Sequence, residues 1–309
     1  MTRHFLRDDD ISPEEQSEIL DLAIKLKSDP YSAKTFAGPK TVALIFDKSS
    51  TRTRVSFSVG VSDLGGSPLI MDSGTSQLGV KESVADTAKV LERQVAMIVW
   101  RTFAQSGLEQ MAANSKVPVV NSLSDEFHPC QLLADLMTIR ERIGNPKGKV
   151  LSYIGDASNN MCHSYMLAGV TAGMKVRVAG PASYQPNPKI YRRAEEIALQ
   201  TGGSIDIYTD PKHALVDSDV VATDTWVSMG QESEKDQKLK EFAGFTLDGE
   251  LLSIAKPEAM VLHCLPANRG YEISAEVLDG PQSAVWDQAE NRLHAQKALM
   301  VWLAARSKA

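Results

Sequence analysis

Short apolar runs recur along this chain with helical segments between them: "TVALIF", "AMIVWR", "VPVVNSL", "KVLSYIG", "KVRVAG", "SIDIYTD", "DVVATDTW", "AMVLHCLP" and "SAVWDQ". No other feature constrains the fold so strongly. Parallel strands need a crossover of a dozen or more residues, usually a helix, and a run that is apolar on both faces needs cover on both. The alternation therefore predicts an α/β protein with mostly parallel sheets flanked by helices. At 309 residues the chain fits two such domains better than one. A break is expected in "RERIGNPKGK", where a helix from about Pro129 to Ile143 runs into Gly-Asn-Pro-Lys-Gly. The expected division is 1–145 and 146–286, with a last helix over about 287–309 packing back on the first domain.

Composition removes several function classes. A net charge of -6 leaves no general nucleic-acid footprint, so any anion site must be a local basic patch. No stretch has the uninterrupted apolar length of a membrane span. The start, "MTRHFLRDDDISPEEQ", lacks the hydrophobic core of a signal peptide and is too acidic for a transit peptide. Cys130, Cys162 and Cys264 show no close pairing, which suits a reducing cytoplasm. The expected partners are small molecules rather than nucleic acid or a membrane.

In open α/β sheets, ligands collect at the carboxyl ends of strands, and the informative polar residues follow the apolar runs here. "TVALIF" leads into "DKSSTRTR" and a segment whose Phe57, Val61 and Leu64 have helical spacing. Ser49, Ser50, Thr51 and Thr53 offer capping hydroxyls at that helix start. The first turn, where the macrodipole favours acids, instead holds Arg52 and Arg54. A bound phosphate would relieve that conflict; otherwise the arginines point to solvent, or Arg54 serves structure.

Arg101 ends an apolar run, where a guanidinium needs an anionic or carbonyl partner. His128 precedes Pro129, a residue suited to the first helical position, so its imidazole stands at a helix entrance with Gln131 in the next turn. It is read either as a donor to a substrate oxygen or as a packed or capping histidine. Cys264 in "VLHCLPA" reads by itself as a buried, inert thiol. "DTWVSMG" puts Asp224, Ser228 and Met229 on one loop, fit for an ammonium group or simply a surface connection. "YIGDASNN" lacks G-x-G-x-x-G, which disfavours a nicotinamide cofactor, and the Cys/His spacing is poor for zinc.

Taken together, "STRTR", "HPCQ", "DTWVSMG" and "HCLPA" resemble, in order, the motifs of the aspartate/ornithine transcarbamylase family, the last two those of its ornithine branch. The resemblance implies carbamoyl transfer from carbamoyl phosphate to the δ-amine of L-ornithine, giving citrulline and phosphate in arginine biosynthesis, with neither metal nor cofactor. It implies that Ser50, Thr51, Arg52, Thr53 and Arg101 bind the phosphate, and that Thr53, Arg101 and His128 face the carbamoyl oxygen. Gln131, Arg292 and the carbonyls of Cys264 and Leu265, beside a cis Leu265–Pro266 bond, would surround the carbamoyl amino end.

Asn160, Asp224, Ser228 and Met229 would hold ornithine, with Cys264 and Asp224 also near its δ-amine. It further implies a homotrimer in which the loop "MDSGTSQLGVKES" carries Gln77 into a neighbour's site; on residues alone that loop either reaches outward with Gln77 and Lys81 or is a plain connector. Cys162 and His163 stand where the family commonly has smaller residues. The alternatives are a related transferase acting on putrescine, acetylornithine or aspartate, and a non-catalytic phosphate-binding module.

Overall fold

The computed structural model describes residues 2–72, 82–227 and 232–307. The chain divides into two compact units, one formed by Met1–Met137 with Glu290–Ala309 and the other by Thr138–Ala289. Among the described residues nine strands form two sheets: β1 Thr41–Phe46, β2 Ser67–Asp72, β3 Met97–Arg101 and β4 Val119–Leu123 in the first unit, and β5 Val150–Ile154, β6 Lys175–Ala179, β7 Ser204–Tyr208, β8 Val220–Thr223 and β9 Met260–His263 in the second. Every strand pair in both sheets is parallel.

The helices are α1 Pro13–Ser28, α2 Arg52–Asp63, α3 Val84–Leu91, α4 Gln105–Ala113, α5 Pro129–Ile143, α6 Asn160–Thr171, α7 Pro188–Thr201, α8 Pro211–Leu215, α9 Lys235–Glu241, α10 Gly249–Leu252, α11 Ala275–Leu278 and α12 Val285–Arg306. The division between units falls within α5 and α12. Eight of the nine apolar runs are strands. The ninth, "SAVWDQ", is not: Ser283 makes only an isolated bridge to Val261, and Val285 already starts α12. Its apolar core is three residues long, and Asp287 falls in the first helical turn, where the dipole welcomes it.

Local chemistry explains the helix starts. At α1, Ser12 Oγ accepts from the Glu15 N–H while Glu15 returns a carboxylate oxygen to the Ser12 N–H, a reciprocal cap with Pro13 at the first position. Asn159 caps α6 by accepting from the Cys162 N–H at 2.8 Å. Where α6 crosses β6 the contact is close: a Cβ on Gly169 would fall 2.6 Å from a Val176 methyl, so only glycine seats the helix there.

Strand order locates the sites. The first sheet runs β2-β1-β3-β4 and the second β7-β6-β5-β8-β9, so direction reverses between β1 and β3 and again between β5 and β8. Ligands bind open sheets outside the carboxyl ends of strands at such reversals. In the first unit those ends are Phe46 and Arg101, which are register partners, and the β3–β4 register slips just before Arg101. In the second, they are Ile154, leading to "GDASNN", and Thr223, leading to Asp224.

Candidate active site

In the first unit the loop after β1 delivers "SSTRTR" to the reversal point. Ser50 Oγ accepts from the Thr53 N–H at 3.2 Å, as a capping hydroxyl of the expected set does. Arg54 is structural: it pairs with Asp72 at the end of β2 and lies 4.6 Å over the Phe46 ring. Thr53 is buried, and its Oγ1 accepts from Arg292 Nη2 at 2.9 Å. Arg292 Nη1 donates to Gln131 Oε1 at 2.6 Å, while Gln131 Nε2 donates to Asp135 Oδ1 at 2.8 Å. Thr53, Gln131 and Arg292 thus form one buried network reaching from α2 through α12 to α5.

His128 sits one residue before α5, 4% exposed. Burial, and then the charges of Arg292, Arg101 and Arg52, hold its pKa well below the usual histidine value. The imidazole is therefore neutral at pH 7, and it reports that three guanidiniums act on one buried point. A dianionic ligand there would answer those charges. Cys130 beside it is inert: its thiol meets the Asn121 carbonyl at 3.3 Å, and burial pushes its pKa up to about 12.

In the second unit Asn160 begins α6, behind a well-tied loop. Asp156 accepts from the Ser158 N–H and Oγ and forms a buried ion pair with Lys238 at 2.8 Å. Asn159 Nδ2 donates to the Tyr153 hydroxyl at 3.0 Å. Cys162 and His163 fit this helix without disturbing it. Cys162 Sγ packs 3.9 Å from Met166 Sδ, and His163 Nε2 accepts from the N–H of Asn187, the residue that caps α7.

Asp224 follows β8, and Cys264 Sγ donates to its Oδ1 at 3.1 Å. Burial raises the Asp224 pKa; His263, Cys264 and the Thr225 N–H work against that rise, and Glu272 adds to it. The local chain around Leu265 has φ +57° and a cis Leu265–Pro266 bond. Behind Cys264 lies a relay that motif reading passes over. His263 Nδ1 accepts from the Leu265 N–H at 2.9 Å, which puts the ring proton on Nε2, where it meets Glu272 Oε1 at 3.2 Å.

Glu272 Oε1 also accepts from the Asn268 N–H at 2.5 Å. Asp224, His263 and Cys264 bring three donor atoms within 4.8 Å of one another. Because both imidazole nitrogens are engaged, giving one to an ion would cost a buried hydrogen bond. His263 adjoins a residue already singled out, and Asp135 stands four positions after Gln131, a readable helical pair. Glu272 has no such signal. Gln77, Lys81, Ser228 and Met229 lie outside the described residues.

Two family models meet these units. The carbamoyl-P binding domain of aspartate/ornithine carbamoyltransferase matches residues 3–141, and the Asp/Orn binding domain matches residues 147–303. The chain belongs to the aspartate/ornithine carbamoyltransferase family. Among members of that family, the ornithine carbamoyltransferase of Renibacterium salmoninarum is 64% identical over 311 residues, covering 99% of this chain and 100% of that protein.

The ornithine carbamoyltransferase of Clavibacter sepedonicus is 62% identical over 307 residues, again 99% of this chain and 100% of its relative. Of solved structures, the ornithine carbamoyltransferase from Pyrococcus furiosus superposes with a TM-score of 0.95 at 44% identity, over 99% of this chain and 98% of that one. The anabolic ornithine carbamoyltransferase from Campylobacter jejuni gives 0.93 at 42% identity, over 98% and 99%. The two-domain α/β architecture of the family is the architecture described above.

Proposed function

We propose that this enzyme is an ornithine carbamoyltransferase, moving the carbamoyl group of carbamoyl phosphate to the δ-amine of L-ornithine to give citrulline and phosphate, in the biosynthetic direction toward arginine. The observation that carries the acceptor choice is the buried Asp224 carboxylate held by Cys264. An acid in that place suits an ammonium-bearing acceptor and repels the dicarboxylate that the aspartate branch of the family would take. We assign carbamoyl phosphate to the first unit and ornithine to the second. Ser50, Thr51, Arg52, Thr53 and Arg101 take the phosphate, with Arg101, Thr53 and His128 at the carbonyl oxygen. Gln131, Arg292 and the carbonyls of Cys264 and Leu265 take the amino end. Asn160, Asp224, Ser228 and Met229 take ornithine.

The chemistry follows from those assignments. The δ-amine, with a free pKa near that of Lys at ~10, must lose a proton before its lone pair attacks the carbamoyl carbon. Negative charge then builds on the carbonyl oxygen, where a neutral His128 and the Arg101 guanidinium stabilise it, and the C–O bond to phosphate breaks as the departing phosphate takes the remaining proton from the attacking nitrogen. Because His128 is held neutral, it serves as a donor of its one ring proton rather than as a cation. Cys264 and Asp224, backed by His263 and Glu272, orient the amine side.

The assembly proposed is a homotrimer with Gln77 reaching a neighbour's phosphate. Support comes from β2, an edge strand whose Leu69 and Ile70 are exposed, and from α2 packed on it with Val55 and Val59 exposed. An apolar sheet edge of that kind is normally covered, here by a second copy. Among the described residues no helix is long and apolar enough to cross a membrane. The free cysteines support a cytoplasmic location. The deciding experiment is a citrulline assay with ornithine, putrescine, acetylornithine and aspartate as competing acceptors. Ornithine should dominate kcat/KM; a preference for any other acceptor would replace this reading.

A further inference from the structure

We infer that Gln296 is the positioning residue for Arg292, fixing the plane of that guanidinium so that its fork is already aimed when carbamoyl phosphate arrives. The inference rests on the assignment of Arg292 to that substrate. Gln296 lies one turn after Arg292 on α12 and is fully buried. One orientation of its amide sets the nitrogen against the guanidinium, donor against donor. Turning the amide resolves the conflict. The oxygen then accepts from both Nε and Nη2 of Arg292 at 3.0 Å, and the nitrogen donates to Ser56 Oγ at 2.6 Å and to the Arg292 carbonyl at 3.3 Å.

A ring of contacts results. Ser56 Oγ donates to the Thr53 carbonyl at 3.3 Å, and Arg292 Nη2 donates to Thr53 Oγ1 at 2.9 Å. Beginning and ending at Thr53, the ring passes through Ser56, Gln296 and Arg292 and joins the first turns of α2 to the middle of α12. A guanidinium gripped only at its Nη tips can still swing about its last side-chain torsions. Gripping the Nε edge as well removes that freedom, which is the condition for a preorganised substrate contact.

The anchorage of α12 does not depend on this amide. Lys297 Nζ, one residue further on, is buried and pairs with Asp63 at 2.8 Å and with the Pro30 carbonyl at 2.6 Å. Leu299, Met300 and Leu303 bury the same helix. Removing the Gln296 amide therefore loosens the Arg292 fork while leaving the helix seated.

The test compares Gln296→Met, Gln296→Glu, Ser56→Ala and Arg292→Met in the full-length enzyme. Gln296→Met keeps the volume and loses the acceptor. It should raise KM for carbamoyl phosphate and lower kcat/KM by about 10- to 100-fold, as a misaimed contact does, with KM for ornithine nearly unchanged. Gln296→Glu restores an acceptor for Nε and Nη2 and should recover most of the loss, because the Ser56 hydroxyl can turn to donate. Ser56→Ala removes the seat of the amide and should act in the same direction but less, which keeps the inference testable if Gln296→Met fails to fold. Parental kinetics for Gln296→Met beside an impaired Arg292→Met would overturn the positioning role alone. A glutamate variant no better than the methionine variant would do the same. An unimpaired Arg292→Met would instead remove the substrate assignment, and the positioning role with it.

Discussion

At His128 the surroundings decide the protonation state before any substrate arrives. Burial comes first, then Arg292, Arg101 and Arg52, and all four lower its pKa from 6.5. His4 and His294 are also lowered, each mainly by burial. A folded-state pKa below the unfolded one means that, as pH falls beneath about 6.5, the unfolded chain takes up protons that the folded chain refuses. The stabilising share of these groups is complete above that pH and is lost below it, toward their folded-state values. Thermal midpoints measured from pH 7 to 5.5 should fall, and His128→Asn should flatten the decline. An unchanged slope would mean that His128 is not held neutral. Asp224 sets the other residue-level expectation. Removing its charge in Asp224→Asn should weaken ornithine binding and turnover by roughly 100-fold, the scale of about 3 kcal/mol for a poorly paired buried cation, while calorimetry shows carbamoyl phosphate binding intact.

Among the elements, α9 is anchored in part by a buried ion pair. Lys238 on that helix and Asp156 in the loop after β5 are both almost fully buried, and the ammonium also lies 5.2 Å from the centre of the Tyr184 ring. Lys238→Met strands the Asp156 charge and should cost about 3–5 kcal/mol of stability. Double replacement with Asp156→Leu should regain part of it, as chemical denaturation would show. That pair also illustrates what the sequence withholds. Strands such as β1 and β9 announce themselves because a buried parallel strand must be apolar along its whole length, and "STRTR" announces itself because its charge opposes the helix dipole. The partners Lys238 and Asp156 lie 82 positions apart with no shared period, so only the fold introduces them. Glu272 behind His263 escaped for the same reason, whereas "SAVWDQ" misled because three apolar residues at a helix start look like a strand end.

For the whole molecule, the homotrimer proposed above would, by closed rotational symmetry, let each subunit give a loop to one neighbour and receive one from another. Arg52→Ala and a Gln77/Lys81 double-alanine variant should each be nearly inactive. Unfolded together and refolded, they should regain activity above the sum of the parents, through sites that draw intact parts from two chains. Mixed trimers seen by native mass spectrometry without returned activity would make each chain self-sufficient. The division of the chain carries a different consequence. One unit joins residues up to Met137 to those from Glu290 onward, while the other is uninterrupted. A ribosome releases the chain from its amino end at roughly 5–20 residues per second. The portion begun first is therefore finished last: Thr53, Asp63 and Gln131 wait for Arg292 and Lys297, which arrive only with the closing helix. Nascent chains halted after Ala289 should carry a protease-resistant core from Thr138 onward and an easily cut segment before it. Equal resistance of both would mean that the opening segment reaches its final packing without the end of the chain.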